Sequence, residues 1–278
     1  LDLKQRLQNH LAEIVRDRDP YLSPIAHLYV QQYIRAQLQQ WGNVETHEFT
    51  VNGKIHHNLI LNLPSSSKEY PPILIGAHYD GVPGSPAADD NGTGVAVLLE
   101  LAKAFAAKPI KYPVRIVAFD MEEYGLLGSQ AYADLLKQQG QRLRLMISLE
   151  MLGYCDDSPN SQRYPAGLER FYPDRGNFIA LIGNLTALTD LIKLRGNIRG
   201  SGTKCEFLPV PSRGTIVPQT RLSDHAPFWD NGYRAMMITD TAFMRNPHYH
   251  QASDRIETLN LDFLAGVCRG LEIAIGRL

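Results

Sequence analysis

The chain has 278 residues, with 28 Lys plus Arg against 29 Asp plus Glu and a formal net charge of −1. That balance lacks the basic surplus by which nucleic-acid and anionic-membrane proteins hold their partners, and 44% hydrophobic with 21% charged residues excludes a disordered, collagen-like or coiled-coil chain. No apolar run reaches the roughly 18 residues of a membrane-spanning helix, so neither nucleic acid nor a membrane is expected as a partner. The chain begins at Leu1 without a basic-then-apolar leader, which suits a soluble protein, cytoplasmic or exported after removal of a signal segment. Its compartment stays open. Cys155, Cys205 and Cys268 are too few and too scattered for a disulfide framework or a thiolate metal site, and an odd count leaves at least one free thiol.

In chain order, Leu3, Leu7, Leu11 and Ile14, then Ile25, Tyr29, Tyr33 and Ile34, stand at helical spacing. Asp19-Pro20 divides this N-terminal helical segment, 1–42, into two helices. Strands at Val44 to Val51 and Ile55 to Leu63 flank Asn52-Gly53, the dipeptide that best supplies the positive φ angles of a tight hairpin turn. After a loop at 64–71, strands at Ile73 to Ala77, Val114 to Phe119, Leu143 to Leu149 and Ala235 to Thr239 alternate with helices at Gly94 to Ala107, Gly128 to Gln139 and Phe178 to Leu194. The alternation predicts an α/β three-layer sandwich, a central mixed, largely parallel sheet flanked by helices. It also predicts one domain over 1–278, with the segment 1–42 packed on it. Tyr154 to Gly176 and Arg195 to Ser223 are too long for plain connections and read as functional loops.

Ligands of open parallel sheets bind beyond the carboxyl ends of the strands, and here those ends carry metal-ligating side chains. His78-Tyr79-Asp80 follows one strand, Asp89 to Gly94 opens a helix, Asp120-Met121-Glu122-Glu123 follows a second, Glu150 a third, and His248-Tyr249-His250 comes after the last. Imidazole with carboxylate and no thiolate is the donor set of a catalytic zinc or another first-row divalent metal. Singly, each feature has an ordinary reading: His10, His27 and His47 as surface or satisfied core residues, Asp89 to Thr93 as a helix cap with an Asx-turn. Together they are hard to explain as solvation, and Glu122 beside Glu123 would repel unless cations stood between them. A serine-nucleophile elbow, an H-E-x-x-H helix, a C-x-x-C pair and a phosphate loop are all absent from the sequence.

GAHYD at 76–80, ADDNGTG at 88–94, FDMEEYGLLGS at 119–129, SLEMLGY at 148–154, SDHAPFWD at 223–230 and NPHYHQASD at 246–254 together resemble the co-catalytic dizinc aminopeptidases of the bacterial leucyl aminopeptidase type. The likeness runs in order and spacing from about Ile73 to the C-terminus, and the first seventy residues add little. It implies two Zn²⁺ per chain, with other divalent first-row metals as substitutes. His78 and Glu150 would bind the first ion, Glu123 and His250 the second, and Asp90 would bridge them. His250 is preferred to His248 because an S/T-x-x-D-like turn follows it. The family commonly has Asp where this chain has Glu150, and the extra methylene bears on the first metal's geometry. Two such ions about 3.5–4 Å apart lower the pKa of a shared water to about 7, with Glu122 as general acid/base. Asp80 would accept the other ring N–H of His78, and Tyr249 would either donate to the oxyanion or simply pack under its loop. The resemblance further implies a cis peptide between Asp90 and Asn91.

The activity implied is hydrolysis of the N-terminal peptide bond of peptides with a free N-terminus, in a pocket walled by Tyr154, Phe228 and Phe243. Two alternatives stand beside it. One is a single-zinc glutaminyl cyclase, whose bridging region typically departs from ADDNGTG; the other is a non-catalytic binding domain on the same fold.

Overall fold

A computed structural model describes residues 1–66 and 70–278, so part of the loop expected at 64–71 lies outside the described residues. The strands are β1 Val44–Val51, β2 Lys54–Leu63, β3 Ile73–His78, β4 Val114–Phe119, β5 Leu145–Glu150, β6 Ile179–Asn184, β7 Cys205–Val210 and β8 Ala235–Thr239. They form one mixed sheet in the order β1-β2-β4-β3-β5-β8-β6-β7. Its centre, β4-β3-β5-β8, is parallel, whereas β2 joins β4 and β6 joins β8 antiparallel. The helices are α1 Leu3–Ile14, α2 Pro24–Gln39, α3 Gly94–Ala107, α4 Leu127–Gln138, α5 Leu188–Gly200, α6 His225–Asp230 and α7 Leu261–Gly276. The expected three-layer sandwich is the fold found.

Alternation along each strand divides the core. Ile73, Ile75 and Ala77 of β3 pack into the larger cluster with α1, α2, α3, α5 and α7, while Leu74 enters the smaller one with α4 and α6. Every residue of β3 and β5 is buried, as expected of parallel strands covered on both faces. The β1–β2 hairpin closes as its sequence predicts, with Val51 opposite Lys54 and positive φ at Asn52 (48°) and Gly53 (77°).

The helix expected at Phe178 to Leu194 is a correction. Ile179–Asn184 is a strand, and the helix begins only at Leu188. The apolar run Phe178 to Ile182 fits a buried strand as well as a helix, and periodicity over so short a run does not separate them. Pairing with β8 on one side and β7 on the other decides it. The loop expected at Arg195 to Ser223 holds the end of α5 and all of β7. Pro209 is tolerated there because β7 is an edge strand. α6 and α7 also lie beyond the elements read from sequence. Among the described residues no helix is long and apolar enough to cross a membrane, and all three cysteines are free.

Candidate active site

The four parallel strands deliver their ends to one rim. β3 ends at His78 and β5 at Glu150; Glu122 and Glu123 follow β4, and His250 follows β8. Asp90 lies in the irregular turn Ala88–Thr93 that leads into α3. One Asp90 oxygen is 3.3 Å from His78 Nε2 and the other 3.1 Å from His250 Nε2. Around these, Glu150 Oε1 is 3.6 Å and Glu122 Oε2 3.9 Å from His78 Nε2, and Glu123 Oε2 is 3.2 Å from His250 Nε2. His248 stands apart, with its Nδ1 2.9 Å from Ser253 Oγ.

Backbone bonds hold this constellation. Asp80 accepts the N–H groups of Glu122 and Glu123, both at 3.1 Å, and its Oδ1 lies 3.3 Å from His78 Nδ1. It therefore ties the end of β3 to the acidic pair after β4. Asp254 likewise accepts the N–H groups of Asp89 (2.9 Å) and Asp90 (3.1 Å). Ser223 Oγ donates to Glu150 Oε2 at 2.7 Å and sits 2.8 Å from Ser148 Oγ, a seat for the longer side chain. Asn91 Oδ1 accepts from Gly94 and Met151, and a Cβ at Gly94 would lie 2.2 Å from that oxygen, so only glycine fits. The Asp90–Asn91 peptide is cis, and Met121, Met151 and His250 carry positive φ. The positive φ angles of these three residues are of the kind that persists where surrounding contacts over-determine the backbone.

The electrostatics fit a divalent metal. Burial pushes the carboxyl of Glu122 well above its ordinary value, against the pull of His78 and helped by Glu150 and Glu123. Burial and Asp90 carry Glu123 up to about 7, and burial carries Asp224 to about 7. Burial opposes charge on His250, but Asp90 and Glu123 outweigh it and raise its pKa to about 10. Both ring nitrogens of His78, Oε1 of Glu123 and both oxygens of Asp224 are buried without a hydrogen-bond partner. Unpaired buried acceptors and crowded carboxylates are each costly, and cations among them relieve both. Two groups among the described residues, His78 with Glu122 and Glu150 and His78 with Asp90 and Glu123, bring their donor atoms close enough together to hold a metal ion. Tyr249 stacks on His250 with ring centroids 3.7 Å apart. Burial and the neighbouring Asp90 and Glu123 raise its phenol further, so it keeps its proton.

The site opens into a cavity of about 330 Å³. Asp90, Glu122, Glu123, Glu150, Tyr249 and His250 line one end, and Phe178, Ile182, Phe207, Leu208, Met237 and Phe243 form much of the remainder. Both long loops contribute, through Tyr164, Leu168 and Tyr172 and through Gln219, Thr220 and Leu222. Two expected wall residues need correction. Phe228 is fully buried in the smaller core, 6.2 Å from Phe119 by ring centroids, because α6 turns it inward. Tyr154 is drawn away by its N–H bond to Asp240 and packs edge-on against His248. Phe228→Ala is thus expected to cost about 3–5 kcal/mol of stability in denaturant unfolding with KM unchanged, whereas Phe243→Ala should raise KM with little loss of stability.

Sequence reasoning gave no role to Ser223, Asp224 or Asp254, although all three lie inside its motifs. Ser223 and Asp254 act as supports, through Glu150 and through the N–H groups of Asp89 and Asp90, and this shows only once those partners are known.

The sequence profile of peptidase family M28 matches residues 58–271. The chain belongs to peptidase family M28. It is 34% identical over 257 residues to the uncharacterised protein YfbL of Escherichia coli K12, covering 86% of this chain and 77% of YfbL. It spans about half the length of the curated fungal leucine aminopeptidases it matches, such as the probable leucine aminopeptidase of Trichophyton verrucosum, with 27% identity over 74% of this chain and 53% of that one. In fold it is similar to the LapA aminopeptidase of Legionella pneumophila, with a TM-score of 0.74 and 17% identity over 99% of this chain and 71% of that one. It is similar also to a glutaminyl cyclase of Tannerella forsythia, with a TM-score of 0.70 and 19% identity over 99% and 97%. At such identities these two likenesses speak for the fold alone. Membership in M28 places this chain in a peptidase family.

Proposed function

We propose that this M28 peptidase removes the N-terminal residue of peptides, using two zinc ions held by His78, Asp90, Glu123, Glu150 and His250. The observation that carries this reading is the division of Asp90, with one oxygen toward His78 and the other toward His250. When bound, the ions supply Lewis-acid polarisation of the scissile carbonyl and acidify a water at neutral pH.

The chain's own groups do the remainder. Glu122 takes the proton of the attacking water at a carboxylate oxygen and returns it to the leaving amine nitrogen. The Tyr249 hydroxyl donates to the carbonyl oxygen as negative charge builds there. Asp80 fixes the backbone of Glu122 and Glu123 while facing His78 Nδ1. Glu122 and Glu150 offer negative charge to the substrate's α-ammonium, and the apolar cavity receives the first side chain.

Peptides with a free N-terminus are expected to be cleaved, and the same peptides acetylated are expected to resist, since acetylation removes the cation those carboxylates recognise. Parallel rate measurements on the two series decide this, and equal rates would reject the exopeptidase reading. Metal analysis of the active protein should give about two zinc ions per chain; one ion with release of ammonia from N-terminal Gln would establish the cyclase instead.

A further inference from the structure

Arg18, in the connection between α1 and α2, is completely buried. Buried guanidinium groups usually meet a carboxylate, but among the described residues this one bonds only backbone carbonyls. Its Nε donates to Tyr79 O at 2.8 Å, Nη1 to Pro86 O at 3.0 Å and Nη2 to Ala87 O at 2.9 Å. Longer contacts of 3.4 Å run from Nη1 to the carbonyls of Ile14 and Arg16.

The places of these carbonyls matter. Tyr79 directly follows His78, and Pro86 and Ala87 lead into Asp89 and Asp90. Ala87 holds a left-handed φ of 57°, so the chain there needs outside support. A Cβ at Gly81 would lie 3.3 Å from Ala87 Cβ and 3.4 Å from Arg18 Cγ, so the region is tightly packed. One rigid planar fork therefore spans the segment carrying His78 and the segment carrying Asp90, and it comes from outside the matched region 58–271.

We propose that Arg18 is a positioning residue for the metal centre, fixing the separation of the His78 and Asp90 segments and thereby the geometry of the first metal position. This rests on the metal reading above. A competing role would be electrostatic. Asp90, Asp254, Asp80 and Glu123 all act on the guanidinium through space, and a cation there would repel a bound dication. The two roles differ in sign: losing the charge alone should tighten metal binding, whereas losing the fork should weaken it. Lysine separates them, because it keeps a charge but lacks the planar set of donors.

The experiment measures zinc affinity of metal-free Arg18→Lys, Arg18→Met and wild-type protein by competition with a chromophoric chelator, with unfolding temperatures recorded with and without zinc. Arg144→Lys is the control. Its guanidinium pairs with Asp190 at 2.6 and 2.9 Å, near the start of β5 and remote from the site. Both Arg18 variants are expected to lose about 10–100-fold in affinity, the range typical of residues that orient metal ligands, and to show a smaller thermal shift on adding zinc; Arg144→Lys should bind as wild type does. Unchanged affinity in Arg18→Lys, tighter binding in Arg18→Met, or an equal loss in Arg144→Lys would each overturn the proposal. If Arg18→Met fails to fold, Arg18→Lys decides alone. Wild-type protein that takes up no zinc would defeat the metal reading itself, an outcome distinct from wild-type binding with an indifferent Arg18→Lys.

Discussion

Replacing Glu122 with Gln is expected to lower kcat by about 10²–10⁴-fold, the range carried by a positioned general acid/base, while zinc content and unfolding temperature stay near wild type. Gln preserves the shape and length of the side chain, and the backbone N–H on Asp80 is untouched. What disappears is the ability to accept a proton from water and deliver it to the leaving amine. Steady-state kinetics with metal analysis on the same preparation tests both halves. Glu122 also forms a tight group with His78 and Glu150, a geometry in which it would itself ligate. Loss of one zinc in the variant would assign it to the metal and leave the proton acceptor to be sought elsewhere.

Asp90→Ala is expected to abolish measurable turnover and reduce zinc to about one ion per chain or fewer, since a carboxylate between two dications offsets their repulsion. Two doubly charged ions repel with about four times the energy of unit charges, which is roughly 4 kcal/mol at 4 Å and an effective dielectric of about 20. Asp90 also faces both imidazoles, so its loss disturbs both metal positions together. The backbone there should persist, because Asp254 still accepts the N–H groups of residues 89 and 90. Elemental analysis after dialysis is the measurement, and retention of both ions would refute the bridging role.

The contrast between the centre and the flank of the sheet shows what local sequence conveys. β3, β4 and β8 are short apolar runs bounded by turn residues and charged ends, and they stand within a residue of their expected limits. β6 has an equally apolar run, yet its spacing reads as the start of a helix, because its strand character comes from pairing with β8 and β7. Site residues divide similarly. His78, Asp90, Glu122, Glu123, Glu150 and His250 stand out because imidazoles and carboxylates at strand ends are unusual types in unusual places. Phe228 and Tyr154 do not, because an aromatic residue near a motif serves a pocket wall, a core or a loop equally well, and only the direction of its side chain separates these.

By itself the sequence determined the α/β alternation, the β1–β2 hairpin and the chemical identity of the converging groups, since these depend on periodicity, turn chemistry and residue type over a few neighbours. Tertiary structure alone decided which donors face one another, that Ser223 seats Glu150, that Asp80 and Asp254 each grip two backbone amides, and that Arg18 of the N-terminal segment spans the His78 and Asp90 segments. Those contacts join residues far apart in the chain, and their bond geometry exists only once the sheet and its covering helices have brought the segments together.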